Sequence, residues 1–271
     1  AGNTQALGQA REGFNTWLEF YGSSEKGSGN ASVFSDYKAS RWGMILGGDV
    51  QIYSRCVAGV FFGYGNPHIS NDLGKVSAQD ISFGVYVGTP LPGGVNSNVM
   101  LGYGDQSYTY SGIGNGKTDF SGSSVYASWE VSRRCGLSVF ELTPLAALDF
   151  QTTSMDGFTI TSINQTLAPK GMDYAALRLG VNGKWKRLHT RLQYAHQLAG
   201  DDFAETRVAF IGGTSSTTLR SVQWGKDWFN AGFGGELWGS SVHWKFLADY
   251  DFEANNNTTA HTGSLKAVFA W

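Results

Sequence analysis

Val242-His243-Trp244-Lys245-Phe246-Leu247-Ala248-Asp249-Tyr250-Asp251-Phe252 alternates apolar and polar residues with a period of two. Successive side chains of a β-strand point to opposite faces, so an extended chain here has two unlike surfaces. One surface is apolar, with Val242, Trp244, Phe246, Ala248, Tyr250 and Phe252. The other carries His243, Lys245, Leu247, Asp249 and Asp251. The stretch therefore predicts a strand that separates an apolar environment from a charged one.

The same alternation recurs elsewhere in the chain. Between residues 40 and 52, Trp42, Met44, Leu46, Val50 and Ile52 oppose Arg41, Asp49 and Gln51. Between residues 140 and 150, the apolar series from Phe140 to Phe150 opposes Glu141, Thr143 and Asp149, and further on Leu177, Leu179 and Val181 oppose Arg178, Asn182 and Lys184. The pattern predicts about twelve strands, near residues 14–22, 40–53, 56–65, 79–89, 95–109, 118–132, 137–151, 173–185, 188–198, 220–237, 240–253 and 260–271.

The connections between these segments alternate in length. Short connections are predicted at Tyr53 to Arg55, Ser132 to Gly136, Lys186-Arg187 and Gly239. Long polar connections are predicted at residues 23–37, 66–78, 111–117, 152–172, 199–219 and 254–259. Short turns at one rim and long loops at the other are typical of outer-membrane barrels, whose short rim faces the periplasm.

Composition supports a membrane barrel over a soluble enzyme. Charged residues make up only 15% of the chain and aromatic residues 14%, with 37 glycines against 5 prolines. The formal net charge of −2 gives no basic surface for nucleic acid. A soluble β-sandwich would also alternate, with its charged face in water. Gly, Ser and Asn at many polar-face positions favour the barrel instead. So do the aromatic residues near strand ends, namely Trp17, Tyr21, Tyr103, Tyr108, Tyr250, Phe252 and Trp271.

Five fragments, in order along nearly the whole chain, resemble the β-barrel translocator domain of classical autotransporters (type V secretion). They are Trp17-Leu18-Glu19-Phe20-Tyr21-Gly22, Arg41-Trp42-Gly43 with Leu46-Gly47-Gly48-Asp49, Gly63-Tyr64-Gly65, Leu142-Thr143-Pro144-Leu145-Ala146-Ala147-Leu148, and the terminal Phe269-Ala270-Trp271. The resemblance implies an all-β, transmembrane, antiparallel up-and-down barrel of about twelve strands. It also implies an outer-membrane pore that anchors an upstream passenger and exports it to the cell surface.

The resemblance further implies the partners and the organisation of the chain. Partners would be outer-membrane lipid, a passenger in the same precursor, and the barrel assembly machinery, which would read Phe269 and Trp271 as its signal. The domain would be monomeric, in the outer membrane of a Gram-negative-type bacterium. Residues 14–271 would form the barrel, and residues 1–13 a linker or plug in its lumen. Either a signal peptide has been removed, or the chain is the C-terminal part of a longer exported protein.

The charged residues of the polar faces are the candidate lumen lining. They are Arg41, Asp49, Glu141, Asp149, Arg178, Lys184, Arg191, Lys245, Asp249 and Asp251. Structural ion pairs in the barrel wall are the plain alternative, and both roles are compatible. Two rival functions remain open from sequence: a stand-alone porin and an outer-membrane enzyme barrel.

The sequence contains no well-defined motif for phosphate binding, catalysis or metal binding. Gly112 to Thr118 resembles a phosphate loop, but Ser111 stands where that motif requires glycine. Asp201-Asp202 follows His196 too loosely to define a catalytic group, and the histidines lack metal-ligand spacing. We therefore expect no catalytic residue, metal or cofactor. Cys56 and Cys135 would lie about four strands apart, which at ~4.8 Å per strand is too far for a disulfide.

Overall fold

The computed structural model describes residues 13–28, 36–53, 56–72, 74–112, 117–137, 139–202, 204–211, 216–220, 225–240 and 244–271. In chain order the strands are β1 (Phe14–Gly27), β2 (Tyr37–Ile52), β3 (Cys56–Asn71), β4 (Gly74–Leu91), β5 (Val95–Gly112), β6 (Lys117–Arg133), β7 (Cys135–Leu137), β8 (Phe140–Met155), β9 (Phe158–Ile160), β10 (Gln165–Pro169), β11 (Met172–Trp185), β12 (Leu188–Gly200), β13 (Glu205–Phe210), β14 (Ser216–Arg220), β15 (Asp227–Ser240), β16 (Trp244–Ala254) and β17 (Thr258–Ala270). Short 3-10 helices occupy Pro92–Gly94 and Thr161–Ile163, and neither these nor any other described segment is a helix that could cross a bilayer.

Twelve antiparallel strands close into a ring. The order is β1-β2-β3-β4-β5-β6-β8-β11-β12-β15-β16-β17, and β17 pairs back onto β1 from Asn15↔Ala270 to Gly27↔Thr258. Closure gives every barrel strand two neighbours, so no edge of the ring presents unpaired amides to lipid. The predicted transmembrane barrel of about twelve strands is confirmed.

The two faces of the wall reverse the burial pattern of a water-soluble protein. Large apolar side chains such as Phe20, Leu46 and Phe83 point outward and are exposed, Leu265 by 58%. Charged side chains such as Glu19, Asp49 and Lys266 point inward and are buried. A protein folded in water buries the first kind and exposes the second. The outer face therefore fits lipid, and a soluble sandwich is excluded because the sheet is one closed ring.

The aromatic girdle predicted from the strand ends is partly wrong, because three of its residues face inward. Tyr103 and Tyr250 lie on the outer face and Trp271 is exposed, as expected. Trp17, Tyr21 and Tyr108 lie on the inner face instead: Trp17 donates a hydrogen bond to the Tyr86 hydroxyl. An aromatic residue near a strand end can lie on either face. On the outer face its ring meets lipid, and on the inner face its ring packs over a small residue such as glycine. Exposed aromatic residues near the short-turn rim are Phe14, Trp129, Phe140, Trp185, Trp238 and Phe269.

The strands run further than the apolar alternation predicts. The alternation predicts a long connection at residues 66–78, but β3 continues to Asn71 and β4 begins at Gly74. The connections at 23–37, 111–117 and 254–259 are also partly strand, and Gly239 pairs with Lys245 inside the β15–β16 hairpin instead of forming a turn. Beyond the bilayer, backbone hydrogen bonds hold the strands together whether or not the side chains are apolar. The alternation of apolar and polar residues therefore identifies only the membrane-spanning part of each strand.

Two features of the connections are absent from the sequence-based prediction. The long segments 152–172 and 199–219 contribute to a separate four-stranded antiparallel sheet in the order β14-β13-β10-β9. Strand β7 adds a short ladder to β8 at the opposite rim. Cys56 and Cys135 are both free, as the strand spacing predicted.

The facing of the wall and its depth in the bilayer can be tested together. Phe62 lies six residues above Cys56 in β3, roughly 15 Å along the membrane normal for strands tilted about 40°. Phe62→Arg should cost ~2–4 kcal/mol because it places a charge near the midplane. Phe246 lies only two residues above the start of β16, so the arginine at Phe246→Arg should reach the interface and cost roughly 0–1 kcal/mol.

Lys245→Ser, on the inner face, is the control and should change stability little. Urea unfolding in lipid vesicles measures the three free energies. Equal losses for Phe62→Arg and Lys245→Ser would contradict the facing.

Candidate functional site

The inner face of the barrel is shaped by pairs of glycine and aromatic residues. A Cβ added at Gly59 would fall less than 3.0 Å from the ring of Tyr86, and one at Gly102 equally close to the ring of Tyr126. Each glycine lies directly opposite its ring across a strand pair, Gly59↔Tyr86 and Gly102↔Tyr126. Because glycine has no side chain, the neighbouring ring can occupy that space and lie flat against the wall.

A polar cluster crosses the junction of the first and last strands, and we call it the seam cluster. Glu19 Oε2 lies 3.6 Å from Lys266 Nζ, and the two residues are direct partners in the β1–β17 register. The ammonium of Lys266 also lies 4.3 Å from the centroid of the Trp17 ring, a cation–π contact. Both charges are almost fully buried, so each depends on the other for compensation.

The seam cluster extends to β2 and β4 through Asp49. Asn15 Nδ2 donates to Asp49 Oδ1 at 2.9 Å, and the Tyr86 hydroxyl donates to Asp49 Oδ2 at 2.8 Å. Trp17 Nε1 donates to the Tyr86 hydroxyl at 3.0 Å. Both oxygens of this buried carboxylate are thus occupied.

A second cluster surrounds Arg178 on the far side of the ring. Its Nε lies 2.9 Å from Asp149 Oδ2 and its Nη1 lies 3.4 Å from Glu130 Oε2. Ser128 donates a further hydrogen bond to Asp149 at 2.6 Å. A guanidinium presents five donors in a fixed fork, which suits two carboxylates at once.

Other inward charges are paired between strands on the inner face. Arg191 Nη1 lies 2.9 Å from Asp251 Oδ1, and His189 Nε2 contacts Asp249 Oδ1. On the β2–β4 side, Arg41 Nη2 lies 3.0 Å from Asp80 Oδ2, which Gln106 also contacts through Oδ1. Arg41 is half exposed, so it reaches into the interior space.

All ten sequence-predicted residues fall on this inner face by strand register. Glu141 pairs with Arg134 at 3.1 Å near the short-turn rim. Within the described ranges, Lys184 and Lys245 make no ion pair. Sequence analysis missed Glu19, Asp80, Glu130 and Lys266, although the alternation in Leu18-Glu19-Phe20 and Leu265-Lys266-Ala267 carries the necessary signal.

The long-loop rim holds the residues considered for catalysis, and they do not converge. Asp201 Oδ1 lies 2.7 Å from Lys170 Nζ, Asp202 lies 3.5 Å from Lys226 Nζ, and His196 lies 2.8 Å from Asp227. The hydrogen bond from Lys170 lowers the pKa of the Asp201 carboxyl and raises the pKa of Lys170 itself. These contacts tie loop to strand, since Asp201 also accepts the backbone N–H of Asp173.

The arrangement as a whole is a closed wall, apolar outside and polar with compensated charges inside. Such an interior can hold water and a polar chain without exposing unpaired backbone to lipid. Among the described residues, no group of His, Cys, Asp and Glu is placed to hold a metal ion.

Comparison with known proteins decides among barrel functions. The family model "Autotransporter beta-domain" matches residues 16–251. The chain belongs to the autotransporter β-domain family. It is an outer-membrane translocator pore that anchors and exports a passenger carried upstream in the same precursor, in a Gram-negative bacterium. The porin alternative gives way to this assignment.

Solved autotransporter barrels have the same fold. The translocator domain of NalP from Neisseria meningitidis has a TM-score of 0.75 at 12% identity, covering 99% of this chain and 92% of that one. The transport unit of AIDA-I from Escherichia coli has a TM-score of 0.73 at 15% identity, covering 98% and 92%. The β-domain of the Bordetella autotransporter BrkA has a TM-score of 0.61 at 16% identity, covering 96% and 100%. No curated protein sequence matches the chain.

The glycine–aromatic pairs of this translocator give a stability test. Gly102→Ala should destabilise the barrel by about 1–3 kcal/mol, because the new methyl group overlaps the Tyr126 ring and the wall must shift. Gly22→Ala is the matched control, since a Cβ at Gly22 meets nothing within 4 Å.

Urea unfolding in vesicles reports both losses. Adding Tyr126→Leu to Gly102→Ala should recover part of the loss by removing the ring. Equal effects of Gly102→Ala and Gly22→Ala would show that the ring does not occupy that space.

Proposed function

We propose that the exported passenger crosses the membrane along the polar inner face, and that Arg41, Asp49, Glu141, Asp149, Arg178, Lys184, Arg191, Lys245, Asp249 and Asp251 line that route. The observation that carries this proposal is the inverted burial of the wall, with charges inside and exposed apolar side chains outside. Most of these charges are already paired within the wall. A passing chain therefore meets polar groups that hold it only weakly.

The barrel itself does no chemistry in this proposal. Family membership makes the domain a pore. Among the described residues, His189 pairs with Asp249 on the inner face and His196 pairs with Asp227 at the long-loop rim, so the two carboxylate–histidine pairs lie apart and do not converge on one site for activating a water. Any enzymatic activity of the precursor belongs to the passenger.

The last strand supplies the assembly signal, which the barrel assembly machinery reads at Phe269 and Trp271. Phe269 is exposed on the outer face, and Trp271 is 79% exposed. Trp271 donates its backbone N–H to the carbonyl oxygen of Phe14 at 2.9 Å, so the end of the signal also meets the start of β1. The assembled domain acts as a monomer, because ring closure leaves no edge of the barrel sheet for a second copy.

Residues 1–13 occupy the lumen in this proposal. Residues 1–12 lie outside the described part of the chain, so the support is topological. Strand β1 begins at Phe14, at the rim of short turns. An exported passenger lies on the other side of the membrane, so the chain that joins it to Phe14 must pass through the ring. Thirteen residues span roughly 20 Å as a helix or about 43 Å extended, enough to fill much of the pore.

Single-channel recording in a planar bilayer tests this arrangement. Deleting residues 1–12 should raise the conductance clearly, because the lumen loses the chain that fills it. A variant of unchanged length, with residues 1–12 replaced by Gly and Ser, is the control and should conduct less than the deletion.

Heat-modifiable migration on gels checks that each variant has folded. Unchanged conductance in a folded deletion variant would contradict the plug. A folded barrel that passes no ions after the deletion would contradict the conduit as well.

A further inference from the structure

Four lysines lie in one transverse row of the sheet. The register joins Lys26 on β1 to Lys38 on β2, Lys38 to Ser70 on β3, and Ser70 to Lys75 on β4. It continues from Lys75 to Ser111 on β5 and from Ser111 to Lys117 on β6. Direct partners in antiparallel strands share a face, so all four ammonium groups are on one side of the wall. We call these four residues the lysine row.

The lysine row lies on the outer face, at the long-loop ends of its strands. Lys26 lies an even number of residues from Phe20 in β1, and Lys75 lies an even number from Phe83 in β4, so each lysine shares a face with that phenylalanine. Phe20 and Phe83 are exposed apolar residues of the lipid-facing band. All four lysines are exposed. Lys38 lies four residues beyond Trp42, the uppermost apolar residue of that face of β2. For strands tilted about 40°, this places it roughly 10 Å above Trp42.

The four charges of the row repel one another, and no described carboxylate is paired with them. Lys26 and Lys38 are direct cross-strand partners, an arrangement of like charges that destabilises a sheet. Across the described residues, none of the four lysines forms an ion pair with a carboxylate. Asp105 and Asp119 are the strand carboxylates on this part of the outer face, and Asp119 accepts a hydrogen bond from Thr109 at 2.6 Å. Asp36 and Asp72 lie past the strand ends.

The other half of the ring has a different character at the same level. Its outward residues near the long loops include Asp173, His196, Asp227 and His261, with no lysine among the described strand positions. At this level of the outer face, lysines at described strand positions are therefore confined to β1–β6. A row of roughly five strand spacings of ~4.8 Å extends about 24 Å around the barrel, longer than a single small anion requires.

We propose that the lysine row binds the phosphate groups of phosphorylated glycolipids in the outer leaflet. Its position just above the lipid-facing band puts the ammonium groups where lipid headgroups lie, and their positive charge complements phosphate. Lysine acts on phosphate as a point charge on a flexible stem, so no preformed pocket is needed. The bound phosphates offset the repulsion between Lys26 and Lys38 and hold the barrel among its lipids.

Binding of defined lipids to the full chain in neutral detergent micelles tests the proposal. The probes are bisphosphorylated lipid A and the same glycolipid without phosphates, and native mass spectrometry counts the retained lipid. The row variant carries Lys26→Gln, Lys38→Gln, Lys75→Gln and Lys117→Gln. The control variant carries Lys170→Gln, Lys184→Gln, Lys186→Gln and Lys226→Gln, which removes the same charge away from the row.

We expect the unaltered protein and the control to bind the phosphorylated lipid at least about tenfold more tightly than the dephosphorylated one, with an affinity that falls as salt is added. Each lysine near a charged lipid surface contributes roughly fivefold, so the row variant should lose the preference. Equal preference in the row and control variants would overturn the proposal. Equal affinity for soluble polyphosphate would overturn the assignment to lipid. Since all four side chains are exposed, the row variant should fold, and heat-modifiable migration checks this.

Discussion

The hydrogen-bonded ladder between the first and last strands is the interaction on which the rest of the structure depends. Without it, β1 and β17 would each present a row of unpaired amides to lipid, where nothing replaces the lost hydrogen bonds. The register from Asn15↔Ala270 to Gly27↔Thr258 satisfies both strands along their length. The buried pair Glu19–Lys266 lies directly across this junction, which helps to select that register because a slip of one strand by one residue would turn that strand's charge toward lipid and leave the other charge unpaired inside.

Ring closure also explains why the interior is polar and yet well ordered. A ring of twelve tilted strands encloses more space than its inward side chains can fill. These side chains therefore lie along the wall instead of packing across a core. Tyr86 and Tyr126 lie over Gly59 and Gly102, and Asp49, Asp149 and Asp80 anchor hydrogen-bonded clusters between strands. The wall is thereby stiffened from within, and a translocator barrel keeps a passage without a conventional hydrophobic core.

Sequence alone predicts the part of this fold that lipid dictates. Alternation in stretches such as 244–252 assigns faces because one side must be apolar, and the count of twelve strands follows from repeating it. Beyond the bilayer that constraint ends, so the extensions of β3 and β4 toward residue 72 and the sheet of β9, β10, β13 and β14 leave no periodic signal. The inner charges were recognisable, but their partners were not: Arg178 meets Glu130 and Asp149 from different strands, a pairing fixed by register and strand stagger.

Disulfide trapping across the junction of β1 and β17 tests the closed ring most directly. Leu18 and Ala267 are direct partners on the outer face, so Leu18→Cys with Ala267→Cys places two thiols at cross-strand distance. The background carries Cys56→Ser and Cys135→Ser, and Leu18→Cys with Gly263→Cys, displaced by four residues along β17, is the control. Closure in this register predicts rapid, nearly complete oxidation of the first pair in folded protein, seen as a faster-migrating denatured band, and little in the second. Failure of the first pair to oxidise in folded barrels, or equal oxidation of the two, would contradict the account.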